Sequence, residues 1–236
     1  MNLSIIITSI LLLIFPFKKE MSGEDLLNRS IAFHDPKGKW ECSKIKLSLK
    51  QTTPNKEPRL TECKLDNKRN YFWQQDSRGD KTTTRSFTKG TCQHWLNGNK
   101  DFSEEAKKEN RLDCKWTQFW HNYQSYLYGL PMKLKDPGTI VHNKVEAVEF
   151  YGQNVLKLKV TYEPEVGKDT WYFYFDPTNF ALVSYQFFHD ESKNDGEYIL
   201  LDGLTKGKGM QLPKSRKWYY NKDGKFLGED VLTSLK

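Results

Sequence analysis

Two periodicities divide the chain. Strand-like runs rich in aromatic and β-branched residues occupy 40–49, 59–66, 71–76, 81–88 and 91–96. Turn clusters such as Ser77-Arg78-Gly79-Asp80 and Lys89-Gly90 separate them, and Asn97-Gly98-Asn99 ends the group. A second group covers 145–150, 155–162, 169–175, 181–189, 197–201, 210–220 and 226–232. Its breaks are Gly152-Gln153-Asn154, Asp176-Pro177-Thr178-Asn179, Asn194-Asp195-Gly196 and Asp223-Gly224. Between the groups the period changes to three and four. Trp116, Phe119, Trp120, Tyr123 and Leu127 form one helical stripe, which Gly129 ends, and the charged segment 102–112 before it reads as an exposed helix. Near the amino terminus, Ser22-Gly23-Glu24-Asp25 has the form of a capping box. Leu27, Ile31 and His34 follow on one face, and Asp35-Pro36 and Gly38 stop the helix. The pattern predicts an α+β protein: about eleven strands in one long antiparallel sheet, interrupted by a helical insertion, with two or three helices.

The hairpin at 170–188 carries the functional question. Trp171, Phe173 and Phe175 point to one face of its first strand, Tyr172 and Tyr174 to the other. A sheet with one wet face alternates apolar and polar residues, so both faces here are expected to be covered. Rings on both faces build either a thick core or the wall of a cavity for something greasy.

Composition narrows the classes. The 236 residues are 37% hydrophobic, 14% aromatic and 28% charged, which excludes a multispanning membrane protein and fits one β-rich domain. No linker, repeat or low-complexity tract divides it. The net charge of +7 favours acidic surfaces such as anionic lipid. The basic residues are scattered among acidic ones, without the stripe that nucleic-acid binding requires. The apolar run at 5–17 is too short for a bilayer span of about 20 residues. It fits a secretory signal peptide, although no basic residue precedes it and Lys18 and Lys19 follow, so an uncleaved anchor stays open. The division is therefore 1–20 for the leader and 21–236 for the domain, in an exported, periplasmic or envelope-associated protein.

Cys42, Cys63, Cys92 and Cys114 are an even set without C-x-x-C spacing, as expected of disulfides rather than zinc. Three pairings are open. Cys42 with Cys63 and Cys92 with Cys114 is preferred because each joins neighbouring segments; free thiols are the alternative. His34-Asp35 and His189-Asp190-Glu191 are the clustered metal-type side chains, weak candidates for a zinc or manganese site. The plainer reading makes both ordinary turns with local hydrogen bonds. The segment from Asp190 mimics a calcium loop, but Gly196 falls one position late and Leu201 stands where the bidentate Glu belongs. No nucleophile elbow, zinc-protease helix or phosphate loop is present, and no cofactor is expected.

Several segments carry a resemblance. They are His34-Asp35-Pro36, Tyr128 to Leu134, Asp136-Pro137-Gly138-Thr139, Val166 to Tyr172, His189-Asp190-Glu191 and Asn194 to Tyr198. These are similar to an uncharacterised family of exported bacterial proteins. The order of elements resembles the outer-membrane lipoprotein-sorting and carrier superfamily, which implies a half-open antiparallel barrel wrapped around helices with a hydrophobic cavity between them. By analogy of fold, the expected function is binding of a lipid or other hydrophobic ligand by a monomer, with a membrane surface or envelope protein as a further partner. Trp116, Phe119, Trp120, Tyr123, Trp171, Phe173 and Phe175 are the candidate ligand-binding residues. Two other readings compete: a structural or interaction module whose rings fill the barrel, and a hydrolase with a dispersed site.

Overall fold

The computed structural model describes residues 20–236, so the apolar run at 5–17 lies outside it. Its helices are α1 (Gly23–His34), α2 (Glu104–Glu109) and α3 (Cys114–Gly129). The first group of strands is β1 (Lys44–Thr53), β2 (Lys56–Asp66), β3 (Tyr71–Arg78), β4 (Lys81–Thr88) and β5 (Thr91–Leu96). The second is β6 (Thr139–Phe150), β7 (Gln153–Tyr162), β8 (Thr170–Phe175), β9 (Leu182–Phe188), β10 (Glu197–Gly207), β11 (Met210–Tyr220) and β12 (Phe226–Leu235). The expected α+β architecture is present, with twelve strands rather than about eleven.

All twelve form one antiparallel sheet in the order β5-β4-β3-β2-β1-β12-β11-β10-β9-β8-β7-β6. Every neighbouring pair except β1 with β12 is a local hairpin or meander. That one pair joins the two groups at the centre, where Lys46 and Lys236 exchange backbone hydrogen bonds. The strands β5 and β6 follow one another in sequence but occupy opposite edges. The connection between them, which contains α2 and α3, must therefore cross the concave face.

Local chemistry explains the element ends. Ser22 and Asp25 complete the predicted capping box of α1. Asp35 accepts the Lys39 and Trp40 amides at 2.8 Å each, which folds 40–42 into a 3-10 turn and delays β1 to Lys44. Strand β6 begins at Thr139, earlier than expected. A bulge between Val141 and Val145 absorbs the polar His142-Asn143-Lys144 interruption that hid its first half. Gly23 packs so closely on β6 that a Cβ there would strike the His142 carbonyl. Likewise, a Cβ on Gly129 would strike the Trp40 ring.

The core lies inside the curve. Leu26 and Leu27 of α1 and Leu127 and Tyr128 of α3 pack against inward side chains that include Leu47, Leu65, Phe72, Leu158, Phe173, Phe175 and Ile199. The outward rings are covered too, but by each other rather than by a second layer. Tyr174 stacks on Phe150 at 3.8 Å, and Tyr198 stacks between Tyr151 and Tyr219 at 4.3 and 5.0 Å. Tyr198 and Tyr219 face each other across β10 and β11, a cross-strand pair worth roughly 0.2–1 kcal/mol, whereas Phe150 and Tyr174 meet across the intervening β7.

Of the two expected cysteine pairs, one is present and one is corrected. Cys92 and Cys114 form a disulfide, joining β5 to the start of α3. Cys42 and Cys63 do not pair. Cys63 faces Leu47 in the β1–β2 register, so Cys42 lies well past it, roughly 16 Å away along an extended chain. Cys42 is exposed and Cys63 fully buried.

His34 belongs to the frame, with no metal ligation available to it. Its Nε2 accepts the Leu182 amide at 2.9 Å, so Nδ1 carries the proton and donates to the Gln211 carbonyl at 2.6 Å. The residue thus ties the end of α1 to β9 and β11, and both ring nitrogens are engaged. Asp190 and Glu191 lie on an exposed turn: Asp190 caps Ser192, and Glu191 accepts from Tyr172 at 2.6 Å. His189 pairs with Asp169 at 2.8 Å. No group of three His, Cys, Asp or Glu side chains suited to a metal ion occurs among the described residues.

Burial pushes the His34 pKa down to about 4, helped by Arg216 and opposed by the Gln211 carbonyl. The fold therefore holds the neutral ring, while the unfolded chain takes up a proton near the ordinary 6.5. The stability this gives is complete above pH 6.5 and is lost as pH falls toward 4, to a total of about 3 kcal/mol. Urea melts at pH 7 and pH 4.5 are expected to show a smaller loss in His34→Gln than in wild type; equal losses would refute the assignment. Non-reducing peptide maps are expected to recover the Cys92–Cys114 bond, with Cys42 alkylated in the native protein and Cys63 only after unfolding. The loop separates the cysteines by 22 residues, so reduction is expected to cost about 3 kcal/mol in a thermal melt.

Candidate functional site

Helix α3 lies across the concave face, held at both ends. The disulfide fixes its first turn to β5. Beside it Thr117 donates to the Asp113 carbonyl at 2.8 Å, so His94 of β5 donates to Thr117, also at 2.8 Å. At the far end the wholly buried Arg216 of β11 donates to the carbonyls of Leu127 and Pro213 at 3.1 and 3.0 Å, and its guanidinium stacks over Tyr128 at 4.1 Å. A cation at a helix C-terminus, bonded to an otherwise orphaned carbonyl, is doubly favourable.

The helix then turns an unexpected face to the sheet. Thr117, Gln124, Leu127 and Tyr128 are its buried positions, and Gln124 donates to Gln74 of β3 at 3.1 Å. The aromatic stripe is only partly buried, with Trp120 and Tyr123 packed against the core. Trp116, Trp120 and Tyr123 are half-buried, and Phe119 is 47% exposed. The four rings contact one another at 5.3–6.0 Å and border the open part of the concavity.

Two kinds of space flank that stripe. Between α3 and the β7–β8 edge is a cavity of about 590 Å³, within the range of small-molecule sites. Phe119, Tyr123 and Tyr126 form its helix wall; Tyr162, Val166 and Trp171 form the opposite one. Tyr126 stands edge-on to Trp171 at 5.5 Å and shares a hydrogen bond with the Tyr162 hydroxyl. Burial pushes the Tyr162 pKa up to about 12 and raises that of Tyr126 well above the ordinary phenol value, so both are neutral phenols at any physiological pH. An ion pair of Lys133 with Asp136 closes one end of the cavity.

On the other flank of α3 the lining is polar. One lobe of about 250 Å³ includes Gln51, Arg59, Arg78, Tyr123, Trp218 and Asp230. A second, about 360 Å³, includes Arg59, Asp76, Arg78, Lys81, Arg85 and Trp120. Tyr123 borders the ring-lined cavity and the first polar lobe, while Arg59 and Arg78 border both polar lobes, so the three spaces adjoin one another around α3.

A buried network supports the polar side. Asp76 receives Thr61 at 2.6 Å, Gln74 at 2.8 Å and Arg85 at 3.2 Å. Gln51 receives Arg59 at 2.5 Å and donates to Asp230 at 2.8 Å; Trp218 donates to Asp230 at 3.2 Å. Burial lowers the Arg85 pKa and the Asp76 charge opposes that fall. Burial raises the Asp230 pKa against the hydrogen bond from Gln51 and the nearby arginines.

The structure separates the seven sequence candidates. Phe119, Tyr123 and Trp171 meet around the ring-lined cavity, and Trp120 lines the arginine-rich lobe. Trp116 sits beside Phe119 under the Arg111 guanidinium. Phe173 and Phe175 are fully buried in the core and line none of the three spaces. Alternation placed them on the correct face but not at the correct depth. Sequence reasoning missed Tyr126, Tyr162 and the arginines Arg59, Arg78, Arg85 and Arg111. Tyr126 is three positions beyond Tyr123, so the helical spacing contained it. Nothing local distinguished the arginines from surface charges.

The sequence matches a family of unknown function (DUF6503) over residues 5–234, and the chain belongs to that family. No curated protein matches it. Among solved structures it is similar to a putative outer membrane lipoprotein-sorting protein domain from Vibrio parahaemolyticus, at 12% identity and a TM-score of 0.51, with 91% of each chain covered. It is also similar to a LolA superfamily protein from Nitrosomonas europaea, at 10% identity and a TM-score of 0.48, covering 92% of this chain and 94% of that one. The first likeness shows that the chain shares the fold of that domain.

The Asp76–Arg85 pair gives a direct test of the network. Arg85 has 4% of its side chain exposed and Asp76 10%, so Asp76→Ala strands a buried charge and is expected to cost about 3–5 kcal/mol in chemical denaturation. The double variant Asp76→Ala/Arg85→Met is expected to recover much of that loss. Additive losses would show that the two residues act independently.

Proposed function

We propose that this protein is an exported carrier that binds a lipid or another hydrophobic ligand in the cleft between α3 and the β7–β8 edge. The observation that carries the reading is the inverted packing of α3. Polar Thr117 and Gln124 are buried, while the ring stripe is left half-open against a 590 Å³ cavity walled by Tyr162 and Trp171. Rings filling a core would be the buried ones. Burial of an acyl chain contributes about 0.8 kcal/mol per methylene, so affinity here requires no polar motif. Export rests on the apolar run at 5–17 and on the Cys92–Cys114 disulfide, which is a bond of oxidising compartments.

Native mass spectrometry and organic extraction of the purified protein are expected to yield a co-purifying hydrophobic molecule, and a fluorescent fatty acid is expected to bind saturably. Phe119→Ala and Trp171→Ala are expected to weaken that binding by about tenfold each, since losing part of one ring contact removes on the order of 1.4 kcal/mol. Phe119 is 47% exposed, so Phe119→Ala is expected to melt close to wild type, whereas Trp171→Ala also removes packing against the core. No uptake by wild type, with large melting shifts in both variants, would favour a filled structural barrel instead. Export predicts a mature amino terminus between about residues 17 and 24, read by terminal sequencing; intact Met1 in a cytoplasmic fraction would overturn it.

A further inference from the structure

The cleft changes chemistry at Trp120. On one side of it lie the rings of the apolar cavity; on the other lie Arg59, Arg78, Lys81, Arg85 and Arg111 around the 360 Å³ lobe. Two carboxylates face those five cations there. Asp76 is shared among Thr61, Gln74 and Arg85, and Glu109 is paired to Lys81 at 3.1 Å. Asp76 also lies 4.0 Å from Arg59, so the lobe keeps a net positive charge even with both carboxylates ionised.

Three of the guanidinium groups lie against rings, while Arg78 and Arg111 are open to solvent. Arg59 and Arg85 lie over the Trp120 ring at 5.0 and 5.7 Å, and Arg111 lies over Trp116 at 4.1 Å. Stacking on a ring occupies the face of a guanidinium and leaves its N–H edge for a planar or tetrahedral anion. Arg85 is nearly fully buried, and its Nε has no hydrogen-bond partner among the described protein groups. The adjoining smaller lobe sets Glu197, Glu229 and Asp230 opposite Arg59 and Arg78, which repels an anion toward the Arg85 side. Tyr123 borders both the smaller lobe and the ring-lined cavity, so the guanidinium groups and the rings lie in adjoining spaces.

Resting on the carrier reading above, we infer that the ligand is an amphipathic anion: its apolar chain lies in the ring-lined cavity, and its carboxylate or phosphate headgroup is bound by the arginine cluster beside Trp120. Asp76 holds Arg85 in place, while Arg78 and Arg111, both exposed, are the arginines free to close on the headgroup.

The test compares two lipids with one oleoyl chain, lysophosphatidic acid and monooleoylglycerol, titrated into the purified exported protein against a fluorescent fatty acid, with inorganic phosphate as a third competitor. Lysophosphatidic acid is expected to bind at least about tenfold more tightly than the glycerol ester, with the advantage shrinking as salt is raised. Arg78→Gln and Arg111→Gln, which touch no part of the buried network, are expected to erase most of that advantage. Monooleoylglycerol, which offers no charge to either side chain, is expected to lose much less affinity than lysophosphatidic acid in both variants. Equal binding of both lipids, unaffected by either variant, would overturn the headgroup site while leaving the carrier reading intact. Failure of both lipids to bind would overturn the two together. Phosphate alone binding as tightly as lysophosphatidic acid, with the same arginine dependence, would assign the cluster to a free anion and overturn its role in holding a lipid.

Discussion

Everything about the cleft follows from one topological constraint. The strands β5 and β6 are consecutive in the chain yet lie at opposite edges of a twelve-stranded sheet. Their connection has to span the concavity, and the only long helix it contains must lie over that hollow. An open sheet of this length curls under its own twist, and the inner face of the curl is too wide for its own side chains to fill. The crossing helix supplies part of the filling and leaves the rest as space.

How α3 sits decides what the space is made of. The disulfide, the His94–Thr117 bond and the Arg216 cap fix its position at both ends. With the ends fixed, the rotation of the helix settles which residues meet the sheet. Gln124 donates to Gln74 and Thr117 accepts from His94, so each polar position has a partner in the interior, while Gln124 Oε1 has none among the described groups. Buried polar groups are tolerated only when their hydrogen bonds are made, and those contacts hold the rotation that leaves Phe119, Trp120 and Tyr123 beside the cleft. The two flanks then differ because the strands beneath them differ: β7 and β8 present rings, while β2, β3 and β4 present Arg59, Asp76 and Arg85.

Much of this was legible along the chain. The period-two runs and their turn residues located ten of the strands closely and two, β6 and β10, in part. The capping box gave α1, and the stripe from Trp116 to Leu127 gave α3. Ring-to-ring contact on both faces of the hairpin at 170–188 also followed from alternation alone. These features are local, because each depends on residues within one turn or one strand of each other.

What lay beyond the sequence was everything set by long-range register. The Cys42–Cys63 pairing failed because the β1–β2 register places Cys63 opposite Leu47, and proximity along the chain carries no register. His34 reads as a helix-end residue with metal-type chemistry; only the fold brings Gln211 and Leu182 to its two nitrogens. Phe173 and Phe175 share a face with Trp171 but sit deeper, since depth depends on which helix covers the strand rather than on alternation. Arg59, Arg78, Arg85 and Arg111 are scattered charges in sequence. They become one electropositive wall because antiparallel pairing sets β2, β3 and β4 side by side and the crossing connection brings Arg111 over them. Local periodicity determined the elements; the edge-to-edge connection and the strand register decided which side chains share the cleft.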